Sequence, residues 1–134
     1  MGRGSGGVAQ FKGKSLSAEQ SQAVMGYSYR QIRKAIENGT STENAEKTAA
    51  KLLRKVPTDI LVKKQEKDLY NCFMLEQKQG KGDAEQQKFA EVTLKTYDTI
   101  ELLERKELIR RDPEKFNPVW VANAFAKARK KAGL

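Results

Sequence analysis

From Leu16 onward the apolar residues recur at intervals of three and four, the spacing of a helix face, and no stretch alternates convincingly with the period of two that a half-buried strand needs. Ser17-Ala18-Glu19-Gln20 has the S-x-x-Q form of a capping box, so a first helix opens there. Gly26 predicts that this helix is short or bent, because glycine is costly inside a helix. Tyr29, Ile32 and Ile36 make one apolar face over 29–37, and Asn38-Gly39 stops it, since glycine enters the left-handed conformation without a side-chain clash. Thr40-Ser41-Thr42-Glu43 reads as a second capping box, with Thr40 as the cap and Glu43 returning to it.

The helix this opens, 42–55, has an inward face of Ala45, Ala49, Leu52 and Leu53, continued by Val56. Pro57 ends it. A longer helix is predicted over 59–79 with Val62, Leu69 and Phe73 in its stripe, followed by a turn at Gly80-Lys81-Gly82. Asp83, with Gln86 three residues on, caps the next helix, 84–111, whose predicted apolar face is Phe89, Val92, Thr96, Ile100 and Leu103, with Tyr97 beside it. On this helix Glu101–Arg105 and Glu107–Arg111 stand four apart and predict a solvated outer face. Asp112-Pro113 and Asn117-Pro118 both look like cap-plus-proline helix starts, and the second opens a final helix with Trp120, Ala124 and Phe125 facing inward or toward a partner.

The pattern therefore predicts an all-α chain. Residues 1–14, rich in glycine and carrying Arg3, Lys12 and Lys14, form a flexible basic arm; 15–57 form an N-terminal helix-turn-helix unit; 58–112 form an antiparallel helical hairpin; and 113–134 carry a C-terminal basic helix. Two helices alone bury little surface, so the hairpin is expected to pack on the N-terminal unit or to assemble copies of the chain into a homo-oligomer.

Charge sharpens this division. The chain of 134 residues carries a formal net charge of +9. Residues 1–57 contribute +6 and 113–134 contribute +4, while 58–112 come to −1. Basic ends around a balanced middle point to an anionic partner. Histidine is absent and Cys72 is the sole cysteine, which removes histidine-based triads, the usual zinc sets and any disulfide within one chain. Cys72, between Leu69 and Phe73, reads as a small buried hydrophobe. No glycine-rich phosphate loop or paired carboxylates can be picked out, so no enzyme activity, metal or cofactor is expected. No apolar run reaches membrane-spanning length and no secretory segment opens the chain, so a cytoplasmic protein without membrane contact is expected.

The remaining chemistry lies on helix 42–55. Lys47, Lys51, Arg54 and Lys55 would engage phosphates, and Asn44 and Thr48, short and polar near the helix start, would reach base edges. Arg30, Arg33 and Lys34 on the preceding helix would lie along the backbone of double-stranded DNA. The competing reading of the same residues is an ordinary solvated helix face.

L-S-A-E-Q at 16–20, A-I-x-x-G at 35–39 and S-x-x-x-A-x-x-x-A-x-x-L-L from Ser41 to Leu53 together resemble the DNA-binding head of phage terminase small subunits. Thr40 stands where that family usually has an aromatic and Asn44 where it often has threonine, and the family's Asn-Ala-Thr run before A-I is absent. The resemblance implies a DNA-binding head, a ring-forming hairpin and a C-terminal tail that meets a large, ATP-driven packaging subunit. Two other classes stay open: a helical structural or assembly protein of a virion or ribonucleoprotein particle, and a small helix-turn-helix transcription regulator.

Overall fold

The computed structural model describes residues 15–134; the arm expected at 1–14 lies outside the described residues. The described chain is all-α, with helices α1 (Ala18–Glu37), α2 (Glu43–Leu53), α3 (Thr58–Glu76), α4 (Ala84–Arg111) and α5 (Pro118–Lys131). The capping box at the start of α1 is present: Ser17 Oγ accepts from the Gln20 N–H at 3.1 Å and Gln20 Oε1 accepts from the Ser17 N–H at 3.0 Å. Gly26 does not shorten α1, which runs unbroken through it. Met25 before it and Ser28 and Ile32 after it are buried on one face. Their packing outweighs the roughly 1 kcal/mol that glycine costs inside a helix.

The turn after α1 is set by Gly39, at φ +68°. Its N–H donates to Ile36 O at 3.1 Å, and the Thr40 N–H donates to Ala35 O at 3.0 Å, the paired bonds of a Schellman ending. Thr40 belongs to this ending and is not the cap of α2. Its hydroxyl also turns back to Ala35 O. The cap position of α2 is Thr42, and Ser41 Oγ accepts from the Glu43 N–H at 3.2 Å. The α2 face then falls as the spacing requires: Ala49 and Leu53 are buried, with Ala45 and Leu52 half-buried beside them.

α3 and α4 form the hairpin, joined through Gly80 and Gly82, with Asp83 and Gln86 making the expected reciprocal cap at 2.8 Å each way. α4 is the central element and packs against α1, α2 and α3. Val92, Thr96 and Ile100 are buried as the stripe predicts, but Phe89 is 62% exposed. The expected solvated outer face of α4 is also incorrect, because Glu101 and Glu107 are buried. A helix flanked on several sides leaves little of its circumference to water, so pairs spaced for an exposed face end up between helices.

One apolar cluster gathers Met25 of α1, Leu53 and Val56 at the end of α2, Leu61 of α3, Leu108 of α4 and Phe116. It crosses position 57, so 15–57 and the hairpin share a core; each such side chain contributes about 1.5–3 kcal/mol by burial. A second cluster, Leu69 and Phe73 with Ala128 and Ala132, seats α5 on α3. Asp112-Pro113 opens only a single turn, closed by the Phe116 N–H on Asp112 O at 2.9 Å. Asn117-Pro118 does open a helix, with Asn117 Oδ1 accepting from the Trp120 N–H at 2.9 Å. Trp120 meets Phe116 edge to face, at 4.7 Å between centroids.

Candidate nucleic-acid interface

Helix geometry sorts α2 into two sides. Ala45, Ala49 and Leu53 recur every four residues and face the core, the alanines against Ile32, Ile36 and Ile100 and Leu53 in the cluster with Met25, Val56 and Leu61. Asn44, Lys47, Lys51 and Arg54 fall on the opposite side, with Thr48 and Lys55 at its flank, and all six are exposed. Alanines on the inner face let α2 lie close to α1, and the leucines near its end anchor it. The polar stripe is therefore fixed in direction by the core, not by its own contacts. Its one ion pair among the described residues is Lys47 Nζ to Glu43 at 3.2 Å, with both partners largely exposed. An exposed pair of this kind is held by at most about 1 kcal/mol and yields readily to a phosphate.

On α1, Arg30 and Lys34 stand one turn apart, opposite the buried stripe of Ser21, Met25, Ser28 and Ile32, and both are exposed. The Arg30 guanidinium lies along its own helix beside Gly26, where an added Cβ would stand 3.3 Å from Nη1. Arg33 is different. Its Nη1 donates to Thr93 Oγ1 at 2.7 Å and to Tyr29 Oη at 3.1 Å, its Nε pairs with Glu37 at 3.3 Å, and its guanidinium stacks 4.9 Å from the Phe89 ring centroid. These bonds join α1 to α4, so Arg33 is a structural cross-link and leaves the proposed phosphate contacts.

The basic C-terminal helix meets a second pair of lysines that the sequence did not connect with it. Lys63 and Lys67 are exposed one turn apart on α3, and α5 brings Lys127 and Lys131 against the same face. Together they border a groove of about 450 Å³. The sequence signals were the basic charge of 113–134 and the four-residue spacing within each pair; nothing local shows that α5 folds back onto α3.

Other ionisable groups are engaged between or along the helices, with Lys64 still part-exposed beside Lys63 and Lys67. Between α3 and α4, Lys64 Nζ donates to both Asp68 carboxylate oxygens at 2.7 Å and lies 3.9 Å from Glu104 Oε2. Neither Glu104 oxygen receives a hydrogen bond among the described residues. Burial first, then the neighbouring Asp68 charge and a hydrogen bond shared with it, push the Glu104 carboxyl well above the usual range. A raised carboxyl favours the protonated form, whose O–H is a donor that Asp68 can accept. Burial alone would lower the Lys64 ammonium, but the Asp68 and Glu104 charges reverse this and raise it.

Glu101 accepts from Gln65 Nε2 at 3.0 Å and from Arg105 Nε at 2.9 Å. Burial would raise Glu107, yet bonds from Arg110 and Arg111 bring it below the ordinary carboxylate range. Arg111 also donates to Leu53 O at 2.8 Å, capping the C-terminus of α2. Cys72 is buried as expected, and burial followed by a contact with Asp98 pushes its thiol up, so it is a poor nucleophile.

No group of three or more histidine, cysteine or acidic residues suited to a metal occurs among the described residues, and none of their helices is long and apolar enough to cross a membrane. The surface chemistry is thus that of fixed cations on a rigid helical frame. In comparisons with known proteins, the chain matches no family model, no curated protein and no solved structure.

Proposed function

We propose that this chain is a non-enzymatic, double-stranded-DNA-binding protein in which α2 is the helix that enters the groove. The observation that carries the reading is the exposed stripe Asn44, Lys47, Lys51 and Arg54, held outward by the buried Ala49 and Leu53. Lysines and arginines on such a stripe supply phosphate contacts, while Asn44 and Thr48 offer the short hydrogen-bonding side chains that read base edges. Arg30 and Lys34 remain available for the backbone. In the order of its parts the chain resembles a viral terminase small subunit, and on that analogy it would act as an oligomer and pass DNA to a large ATP-driven packaging subunit.

The test is a titration of labelled duplex DNA with the full chain at several salt concentrations. Lys47→Ala with Lys51→Ala should weaken binding and reduce the dependence of log affinity on log salt by about 1.8, the loss of two phosphate contacts. Unchanged affinity in that double variant, at low salt, would remove α2 as the binding helix.

A second reading, as an assembly protein of a particle, is favoured by one feature. An apolar groove of about 540 Å³ is lined by Ile109, Phe116, Val121 and Phe125, and Val119 nearby is 67% exposed. That reading predicts association with other chains and no autonomous affinity for duplex DNA.

A further inference from the structure

We infer that the groove between α3 and α5 is a second site for the phosphate backbone of a nucleic acid, built from Lys63 and Lys67 on one wall and Lys127 and Lys131 on the other. The choice of ligand rests on the nucleic-acid reading above; the residues do not, since none of them belongs to α1 or α2. Four lysines border a space of about 450 Å³ in whose lining Glu66 is the one acidic residue among the described residues. A concave surface of one sign concentrates its field on whatever enters it.

The four lysines are not equally engaged. Lys127 Nζ pairs with Glu66 at 3.0 Å, and Lys131 Nζ lies 5.2 Å from the centre of the Tyr70 ring. These contacts, with Ala128 and Ala132 buried against Leu69 and Phe73, fix α5 on α3. Lys63 and Lys67 form no ion pair among the described residues. The wall from α5 is thus pinned, and the wall from α3 presents two unneutralised charges.

The spacing of the lysines suits a chain of phosphates. Each lysine pair spans one helical turn, about 6 Å of rise, which matches the step between successive phosphates on one strand. Six of its lining residues, Lys63, Glu66, Lys67, Asn71, Lys127 and Lys131, carry a charge or an amide, while Tyr70, the two alanines and the lysine stems make the rest of the surface apolar. Asn71, also in the lining, adds an amide of the kind that commonly bonds phosphate oxygens.

The experiment compares Lys63→Gln/Lys67→Gln with Lys47→Ala/Lys51→Ala in the full chain, titrated against labelled duplex DNA and, separately, polyglutamate. The groove variant leaves the contacts of Lys127 and Lys131 in place, and circular dichroism checks that its helicity is unchanged. The expected result is about a tenfold loss of duplex affinity at low salt, with the salt slope reduced by about 1.8, and recovery in Lys63→Arg/Lys67→Arg. Unchanged duplex binding in the groove variant beside weakened binding in the α2 variant overturns the groove and leaves the function reading standing. The opposite pattern supports the groove and removes α2 as the reading helix. Unchanged binding in both variants overturns both. Polyglutamate bound as tightly as duplex, and lost with the same lysines, overturns the nucleic-acid assignment in favour of an acidic polypeptide.

Discussion

Arg33 and Thr93, sixty residues apart, are joined by a 2.7 Å hydrogen bond from the guanidinium Nη1 to the threonine Oγ1. The threonine oxygen in turn donates to Phe89 O at 2.7 Å, so the arginine is tied through it to the backbone of α4. This bond separates Arg33 from its neighbours Arg30 and Lys34, which share its charge but form no such cross-link among the described residues.

Arg33→Ala is therefore expected to act on stability. Removing a charged donor that leaves Thr93 and Tyr29 short of a partner should cost about 1–3 kcal/mol, read as a lower denaturant midpoint. On the proposed function, the salt dependence of duplex-DNA binding should stay that of the parent chain, whereas Arg30→Ala or Lys34→Ala should reduce it with little change in stability. A fall in the salt slope on replacing Arg33, with the midpoint unmoved, would restore it to the interface.

The limits of sequence reading lie in the same helices. Local signals were sufficient for the capping boxes at Ser17 and Asp83, the stop at Gly39 and the inner face of α2, because each depends on residues within a turn or two. They failed where a third helix decides the outcome. Glu101–Arg105 has the spacing of a solvent-facing pair, and only the placement of α3 buries Glu101 against Gln65. Arg33 has the spacing of a backbone contact, and only α4 diverts it. The α3–α5 groove is invisible for the same reason: its two walls are some sixty residues apart in the chain.

Gly39→Ala should destabilise the chain through its backbone alone. The residue holds φ +68° and an added Cβ would meet nothing within 4 Å, so sterics with neighbours contribute nothing. The cost is the left-handed conformation itself, about 1–2 kcal/mol for an alanine. Gly39→Asn should lose distinctly less, because asparagine tolerates this conformation. Equal losses from the two substitutions, by thermal or denaturant unfolding, would point to a contact at this turn and not to its φ.

Phe116→Ala tests whether the segment after α4 is part of the core. Phe116 is 1% exposed, clustered with Met25, Leu53, Val56, Leu61 and Leu108, and meets Trp120 edge to face. Truncation should cost about 3–5 kcal/mol and lower one cooperative transition seen alike by Trp120 fluorescence and far-ultraviolet circular dichroism. If the fluorescence transition moves while the helical signal stays, α5 unfolds apart from the rest and the shared core is refuted.

Glu104 gives the fold a pH dependence whose direction can be worked out. Its carboxyl is raised in the folded chain by burial, then by Asp68, while Lys64 beside it opposes this in part and Glu101 adds to the repulsion. A group whose folded value is raised binds its proton more tightly in the folded state. Its contribution is fully present below the ordinary glutamate value and fades as pH rises through the raised one. Glu107 works the other way: lowered by Arg110 and Arg111 despite burial, it stabilises above the ordinary value and is lost as pH falls through its folded one. The melting temperature should thus decline toward alkaline pH on account of Glu104 and toward strongly acidic pH on account of Glu107. Glu104→Gln keeps an N–H donor for Asp68 but cannot ionise, so it should flatten the alkaline decline and leave the acidic one. Glu107→Gln should lower stability at neutral pH and flatten the acidic limb. Melting curves of Glu104→Gln that run parallel to the parent from pH 5 to pH 9 would show that Glu104 does not titrate in this range.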